Sequence, residues 1–514
     1  MASRPAVVPL LALVACAAFA SCGESGSSPA AADDAAVGPS SSPSPSPSPS
    51  PSPSAPGPAP SSDDAAVPPP DTAPVPDAAP PPPERKTRFA LLGDFGVDNA
   101  AEAAVADLVK AWGPDFIVTL GDNNYPDGSA ATIDAAIGKY YSDYIFPYRG
   151  AFGRGATEQR FFACLGNHDW DTGSPRPHQD YFDLPGNERY WELAKGPVRF
   201  FCLDSDPREP DGTTSTSIQG KWLEQRLRPA TDAFRLVVFH HPSHSSGQHG
   251  SQAYMQWPFQ AWGASAVYTG HDHNYERFDF GPGTIPYVVQ GLGGANLRPM
   301  ATSRAGQAIA YAEKHGVSFV EADERYADFT AVTVGRDRVD EHVLVSDRES
   351  RRPTDTLFAA GGSHRFFEQQ PPAGWNAPGF DTSGWKVGAA PLGYGQGGER
   401  TVLARGLAHY FVTKITVPDP RVYDHAVAWI QRDDGVALYV NGWEIARSNL
   451  PEGALTAQTL APQTVGFAAE RAWVPIVVPT AALRAGENII AVELHQASAT
   501  SSDATFDIRF EGKR

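Results

Sequence analysis

The sequence predicts an α/β domain followed by an all-β domain, and three observations predict it. Between about residues 88 and 275, short apolar runs each end abruptly in a cluster of carboxylate, amide or imidazole side chains. Beyond about residue 366, apolar and polar residues alternate, and Asn441-Gly442 sits between two such runs, the strongest short hairpin signal. Ahead of both lies a stretch of Pro, Ser, Ala and Asp that can bury no core.

The chain has 514 residues and a formal net charge of -18, which suits several domains. It shows no concentrated basic stretch, so nucleic acid is excluded as the main ligand. Four cysteines are too few for a disulfide scaffold. Residues 1–22 read as a signal peptide. Arg4 is a minimal positive region, and Ala6 to Ala20 is apolar but too short for a typical membrane span. Phe19-Ala20-Ser21-Cys22 resembles a bacterial lipobox with lipid carried on Cys22. Leu13-Val14-Ala15-Cys16 is a closer match to the motif but is followed by apolar residues, and an ordinary secretory signal is the third reading. The expectation is an exported protein, a bacterial lipoprotein at the outer membrane, periplasm or cell surface, touching membrane only through an N-terminal lipid anchor. Residues 23–85 read as an extended linker, nearly pure Pro-Ser alternation from Ser42 to Ser54.

The catalytic region is expected over residues 86–347. Phe89 to Leu92 is a short buried strand ending in Gly93-Asp94-Phe95-Gly96. Ala101, Val105, Leu108, Val109 and Trp112 fall at helical spacing, and Gly113-Pro114 ends that helix. Phe116 to Leu120 is the next strand and ends in Gly121-Asp122-Asn123-Asn124-Tyr125. This strand–helix–strand unit is right-handed by the usual rule, and it places Asp94 and Asp122 at the carboxyl ends of parallel strands. Arg160 to Leu165 delivers Gly166-Asn167-His168-Asp169, Phe234 to Phe239 delivers His240-His241, and Ala264 to Thr269 delivers Gly270-His271-Asp272-His273. Tyr190-Trp191 and Val198 to Leu203 read as a hairpin, and Trp222 to Leu227 as a helix. The glycines before Asp94, Asp122, Asn167 and His271 are expected to let the backbone turn sharply.

The strand-end residues Asp94, Asp122, Tyr125, Asn167, His240, His271 and His273 are candidate metal ligands. His271 and His273, at i and i+2, project to one side of an extended or tightly turned segment. Seven protein ligands are too many for one catalytic ion that keeps an open position, and suit two ions bridged by a carboxylate. Carboxylate, imidazole, amide and phenolate donors without thiolate favour Fe, Zn or Mn. A pair of ions about 3.5–4 Å apart clamps an in-line displacement at phosphorus. The bland alternative for any one of these motifs is a polar loop without metal.

The five segments, Gly93–Gly96, Gly121–Tyr125, Gly166–Asp169, Val237–His240 and Gly270–His273, resemble the motifs of the metallophosphoesterase (calcineurin-like) superfamily, in order, over about half the chain. With Tyr125 in the second motif, the resemblance is closest to purple acid phosphatases. It implies a ββ-sandwich flanked by helices and hydrolysis of phosphomonoesters by a metal-bound hydroxide. It also implies Fe(III) at Asp94, Tyr125 and His273, a bridging Asp122, and a divalent ion (Fe, Zn or Mn) at Asn167, His240 and His271. The charges of two carboxylates, a phenolate and a hydroxide would leave an Fe(III)/divalent pair at about +1. His168 and His249 match the family's outer histidines and are the candidate catalytic acids. The alternatives are a phosphodiesterase on the same scaffold with Tyr125 as a wall, and a surface glycan-binding protein with an inactive metal domain. His241 is expected to pack rather than ligate; His244 is ambiguous. Asp169 and Asp272 either orient neighbours or are plain loop residues. Cys164 and Cys202 form a disulfide or remain two buried thiols.

Val317 to Val320 and Phe329 to Val334 are expected to close this domain, followed by a polar hinge over residues 348–365 around Gly361-Gly362. Residues 366–514 resemble the galactose-binding-like jelly-roll modules appended to secreted enzymes, carried by Gly384-Trp385, Asp433-Asp434-Gly435, Asn441-Gly442 and Glu493 to Gln496. The resemblance implies a glycan partner there, the alternative being a spacer domain.

Overall fold

The computed structural model describes residues 85–301, 303–335, 339–465 and 470–514. The expected signal peptide, Cys16, Cys22 and the Pro/Ser linker lie outside the described residues. The first region is a pair of sheets. The first has strand order β13-β12-β11-β1-β2-β3, with β1 Thr87–Leu92, β2 Phe116–Thr119, β3 Phe161–Phe162, β11 Gly316–Ala322, β12 Tyr326–Thr333 and β13 Val339–Val345. The second has order β10-β8-β9-β7-β6-β5-β4, with β4 Trp191–Lys195, β5 Val198–Cys202, β6 Phe234–Val238, β7 Ala266–Thr269, β8 Tyr275–Phe278, β9 Tyr287–Gln290 and β10 Gln307–Tyr311. β1, β2 and β3 run parallel in one sheet, and β5, β6, β7 and β9 run parallel in the other. Phe89 and Phe116 of the first sheet meet Phe200 of the second edge-on, with ring centroids 5.1 and 5.7 Å apart. That aromatic contact seals the core and holds the carboxyl ends of both parallel sets at one rim.

Most expected elements form. The helix Ala100–Trp112 is capped by Asn99, whose side chain accepts from the Glu102 amide, and ends at Gly113 with φ +67°. The third strand is shorter than its apolar run, because Ala163 to Leu165 are already turning toward the rim while staying buried. Cys164 and Cys202 are joined as a disulfide, Cα atoms 6.1 Å apart, which settles the open alternative and ties the two sheets together.

The second region is a sandwich of two mainly antiparallel sheets. One contains Leu392–Tyr394, Ala504–Lys513, His425–Asp433 and Val474–Val478 as neighbours; the other contains Ser363–Phe367, Ala408–Val417, Gly486–His495, Gly435–Val440 and Trp443–Ser448. The hairpin turn falls at Asn441 (φ +52°) and Gly442 (φ +90°), as the sequence predicts. The expected hinge is not a plain linker. Thr354–Phe358 pairs with Ala504–Lys513, and Ser363–Phe367 pairs with Ala408–Val417, so the sandwich starts near Thr354. The polar residues there are the exposed half of edge-strand alternation, which reads as a hinge when taken without its partner strands.

The two regions dock through buried polar contacts. Arg432, 2% exposed, donates two hydrogen bonds to the Glu341 carboxylate at 2.9 and 3.0 Å. His425 and Tyr326 both meet Glu349 at 3.1 Å. Removing one member of a buried pair leaves the other charge uncompensated. Arg432→Ala is therefore expected to lower the stability of the full chain by about 3 kcal/mol, read from its urea unfolding midpoint. An unchanged midpoint would mean that this contact does not hold the two regions together.

Candidate metal centre

Five strand ends build the site. β1 leads to Asp94, β2 to Asp122 and Tyr125, β3 to Asn167 and His168, β6 to His240, and β7 to His271 and His273. Asp94 (φ +59°), Asp122 (φ +54°) and His271 (φ +72°) are themselves left-handed, a conformation costing non-glycine residues on the order of 1 kcal/mol each. This corrects the reading of the preceding glycines. Among them only Gly121 has a positive φ, +90°. The others are needed for space: a Cβ on Gly270 would lie 2.6 Å from Asp94 Oδ2, and one on Gly166 would lie 2.2 Å from Asp122 Oδ1. The ligand residues bend, and the glycines let neighbouring strand ends approach.

The donor atoms form two groups that share one oxygen. Asp122 Oδ1 accepts the His168 amide at 2.9 Å, which leaves Oδ2 facing the centre. Oδ2 lies 3.0 Å from Tyr125 Oη and 3.3 Å from His240 Nε2. On the first side, Tyr125 Oη is 3.2 Å from His273 Nε2 and 3.4 Å from Asp94 Oδ1. On the second, His240 Nε2 is 3.1 Å from both Asn167 Oδ1 and His271 Nδ1. Donors at such separations match the edges of a coordination shell with bonds of about 2.1 Å.

The hydrogen bonding behind the donors makes the fit specific. His240 Nδ1 is held by the Leu120 carbonyl at 2.9 Å, and His273 Nδ1 by the Asn296 carbonyl at 2.6 Å. A carbonyl only accepts, so each Nδ1 carries its proton and each Nε2 turns a lone pair inward. In the neutral ring, His240 Nε2 confronts a carboxylate oxygen and an amide oxygen, three lone pairs that only a proton on the ring or a cation can reconcile. That arrangement fits a cation. The buried charges respond in opposite directions. Burial opposes the charged form of His240, yet Asp122 holds it up at about 10. Burial likewise opposes ionisation of Asp122, yet His240 and His168 hold it well below the carboxylate range. Burial and the Asp122 and Asp94 carboxylates push Tyr125 well up, while burial and His240 push His271 far down.

Residues 87–275 match the family described as calcineurin-like phosphoesterase. The chain carries a calcineurin-like phosphoesterase domain. Among curated relatives, tartrate-resistant acid phosphatase type 5 of Homo sapiens is 25% identical over 245 residues, covering 40% of this chain and 72% of that one. The Rattus norvegicus enzyme is also 25% identical, over 250 residues. Among solved structures, a purple acid phosphatase from yellow lupin seeds aligns at 17% identity and a TM-score of 0.42, covering 53% of this chain and 56% of that one. The domain is related to purple acid phosphatases, and binuclear metal centres are the rule among such enzymes.

Around the donors of the phosphoesterase domain lie the outer groups. The His168 ring sits 4.3 Å from the Tyr125 ring; its Nδ1 binds the Pro126 carbonyl and its Nε2 is 3.9 Å from Asp122 Oδ2. The His249 ring lies 4.2 Å from that of His271, and its Nε2 touches the Arg298 guanidinium. Asp272 is not a plain loop residue. It is fully buried and accepts the His249 and Gly250 amides at 2.9 and 3.1 Å and the Ser245 hydroxyl. Asp169 similarly accepts from Gly166 and Asn123, and burial and Asp122 raise its pKa to about 7. His241 packs, as expected, with Nδ1 on Ser205 Oγ at 2.9 Å. His244 packs at a tilt against Tyr287 and Phe280, outside the donor groups.

Sequence reasoning missed Arg298, Glu276 and the carbonyls of Leu120 and Asn296. Glu276, fully buried, takes both Ser246 N–H and the Gln307 amide, and so pins the loop that carries His249. Its signal was a charged residue inside the short strand Tyr275–Phe278 that follows the last histidine. Arg298 gave no signal, since it comes from a segment without periodicity. The Asp272 carboxylate is the clearest test of loop positioning. Asp272→Asn should lower kcat/KM on a phosphate ester roughly 10-fold while leaving metal content as in wild type. Full activity would mean that the loop is held without it.

Proposed function

We propose that the chain is an exported acid phosphatase acting on phosphomonoesters. In this reading Fe(III) is held by Asp94, Tyr125 and His273, and a divalent ion (Fe, Zn or Mn) by Asn167, His240 and His271. Asp122, whose carboxylate faces both groups, would hold both ions. The observation that carries the reading is the placement of Tyr125 Oη within hydrogen-bond distance of the oxygen that both groups share. When bound, the pair would supply an activated water and offset the charge of the phosphate.

The chain's own side chains divide the remaining work. Displacement at phosphorus forms a bond to the water oxygen and breaks the bond to the ester oxygen, which must leave with a proton. As an imidazolium, His168 suits the role of proton donor, since Pro126 engages the Nδ1 proton and Nε2, which carries the second, is turned toward the centre. His249 and Arg298, in contact beside His271, suit the non-bridging phosphate oxygens, with the guanidinium as a fork-shaped donor. Two cationic or donor groups beyond the metals favour a monoester, which carries more charge than a diester.

Tyr125→Phe separates this reading from its colourless relatives. A phenolate on Fe(III) absorbs visible light by moving charge from ring to metal, so the oxidised wild type should be coloured and contain iron. The variant keeps the ring, so it should fold, lose the colour and retain part of its activity. A colourless, iron-free wild type that cleaves diesters would instead support the phosphodiesterase reading with Tyr125 as a wall.

A further inference from the structure

The β-sandwich has a second acidic cluster, remote in sequence from the phosphoesterase motifs. Four neighbouring strands of one sheet end at the same place. Leu392–Tyr394 leads to Gln396, Asp433 ends His425–Asp433, Asp503 precedes Ala504–Lys513, and Glu470 precedes Val474–Val478. The registers bring these ends level: Tyr394 faces Ala504, Asp433 faces Thr505, and Ile430 faces Val474. Carboxylate oxygens of Asp433, Glu470 and Asp503 lie within 4.8 Å of one another.

A cluster of carboxylates is not a site in itself, but here one member is stranded. Asp433 is 1% exposed, and its Oδ2 has no hydrogen-bond partner among the described residues. A buried, unpartnered carboxylate oxygen costs several kcal/mol unless something compensates it. The Arg432 guanidinium, next in sequence, is turned to the Asp434 carbonyl, Ser448 and Glu341 instead. The Asp434 carboxylate is already occupied by the Val465 and Ala497 amides. Gln396 reaches both Glu470 and Asp503 through its side-chain amide, so its oxygen can be brought to the same point by a half-turn of that amide. Gln496, which holds the Asp433 carbonyl, leaves a second buried oxygen without a partner among the described residues. Burial, the charge of Asp434 and a hydrogen bond between the two carboxyl groups hold the Asp433 carboxyl up at about 10, so without a counter-charge it keeps a proton that a cation would displace.

We propose that Asp433, Glu470 and Asp503, with Gln396 at the rim, form a Ca2+ site that ties together the ends of four strands of the β-sandwich. The donors are all oxygen, which suits a hard cation, and their spread matches a coordination shell of about 2.4 Å radius. The ion ties Glu470 to the sheet. It sits beside Arg432, and so stiffens the strand end from which Arg432 reaches Glu341 across the docking contact.

The test uses the purified full chain, freed of calcium and titrated with Ca2+ by calorimetry and by thermal unfolding. Wild type should take up one Ca2+ per chain in a saturable step, with a rise in Tm, and Asp122→Ala should keep that response because the phosphoesterase centre is not involved. Asp503→Asn should weaken uptake at least about 10-fold. Asp433→Asn replaces the buried acid by a neutral amide, so it should fold in calcium-free buffer with a Tm at least that of wild type and show no calcium response. Saturable uptake that both substitutions leave unchanged would overturn the proposal. So would a wild-type Tm that rises on acidification but not with Ca2+, since a shared proton would then do the work of the ion.

Discussion

One carboxylate oxygen, Asp122 Oδ2, sets the terms for the phosphoesterase domain. It faces Tyr125 on one side and His240 on the other, because the His168 amide has taken Oδ1. Both donor groups are defined by their distance to it. Placing it there requires a left-handed Asp122, a Gly121 with positive φ before it, and a Gly166 with no side chain to collide with it. The strain is tolerable because the flanking strands are buried against the aromatic contact between the sheets, which leaves the backbone no alternative path.

The histidines are aimed by backbone carbonyls rather than by other side chains. Leu120 O belongs to the strand end that delivers Asp122, and it fixes the tautomer of His240 on the opposing sheet. The same stretch of chain thus supplies the Asp122 carboxylate and orients the His240 donor from the other side. Asn296 O does the equivalent for His273, and Arg298 follows it by two residues. The segment after β9 therefore positions one ligand from its backbone and brings a guanidinium to the rim.

The strand ends and their clustered donor residues were legible in the sequence because each pairs a buried apolar run with a polar cluster, a pattern that survives without knowledge of neighbours. Asp94, Asp122, Tyr125, Asn167, His240, His271 and His273 were found in this way, and the structure brings all seven together. What was not legible depends on contacts between distant segments. The glycines were read as turns, yet Gly166 and Gly270 are small because Asp122 and Asp94 press on them from other strands. Residues 348–365 were read as a hinge, because an edge strand such as Thr354–Phe358 is polar on its open face and its partner lies about 150 residues away. Arg298 and Glu470 sit in segments without periodicity, and only the fold gives them neighbours.

Whether two metal ions share Asp122 is tested most directly by metal analysis of the purified full chain, combined with magnetic resonance of the bound ions. Two metal atoms per chain are expected in the phosphoesterase domain, one of them iron, with their spins coupled through the common bridge. A single ion, or iron beside a second paramagnetic ion (Fe or Mn) with no magnetic coupling between them, would contradict the shared carboxylate.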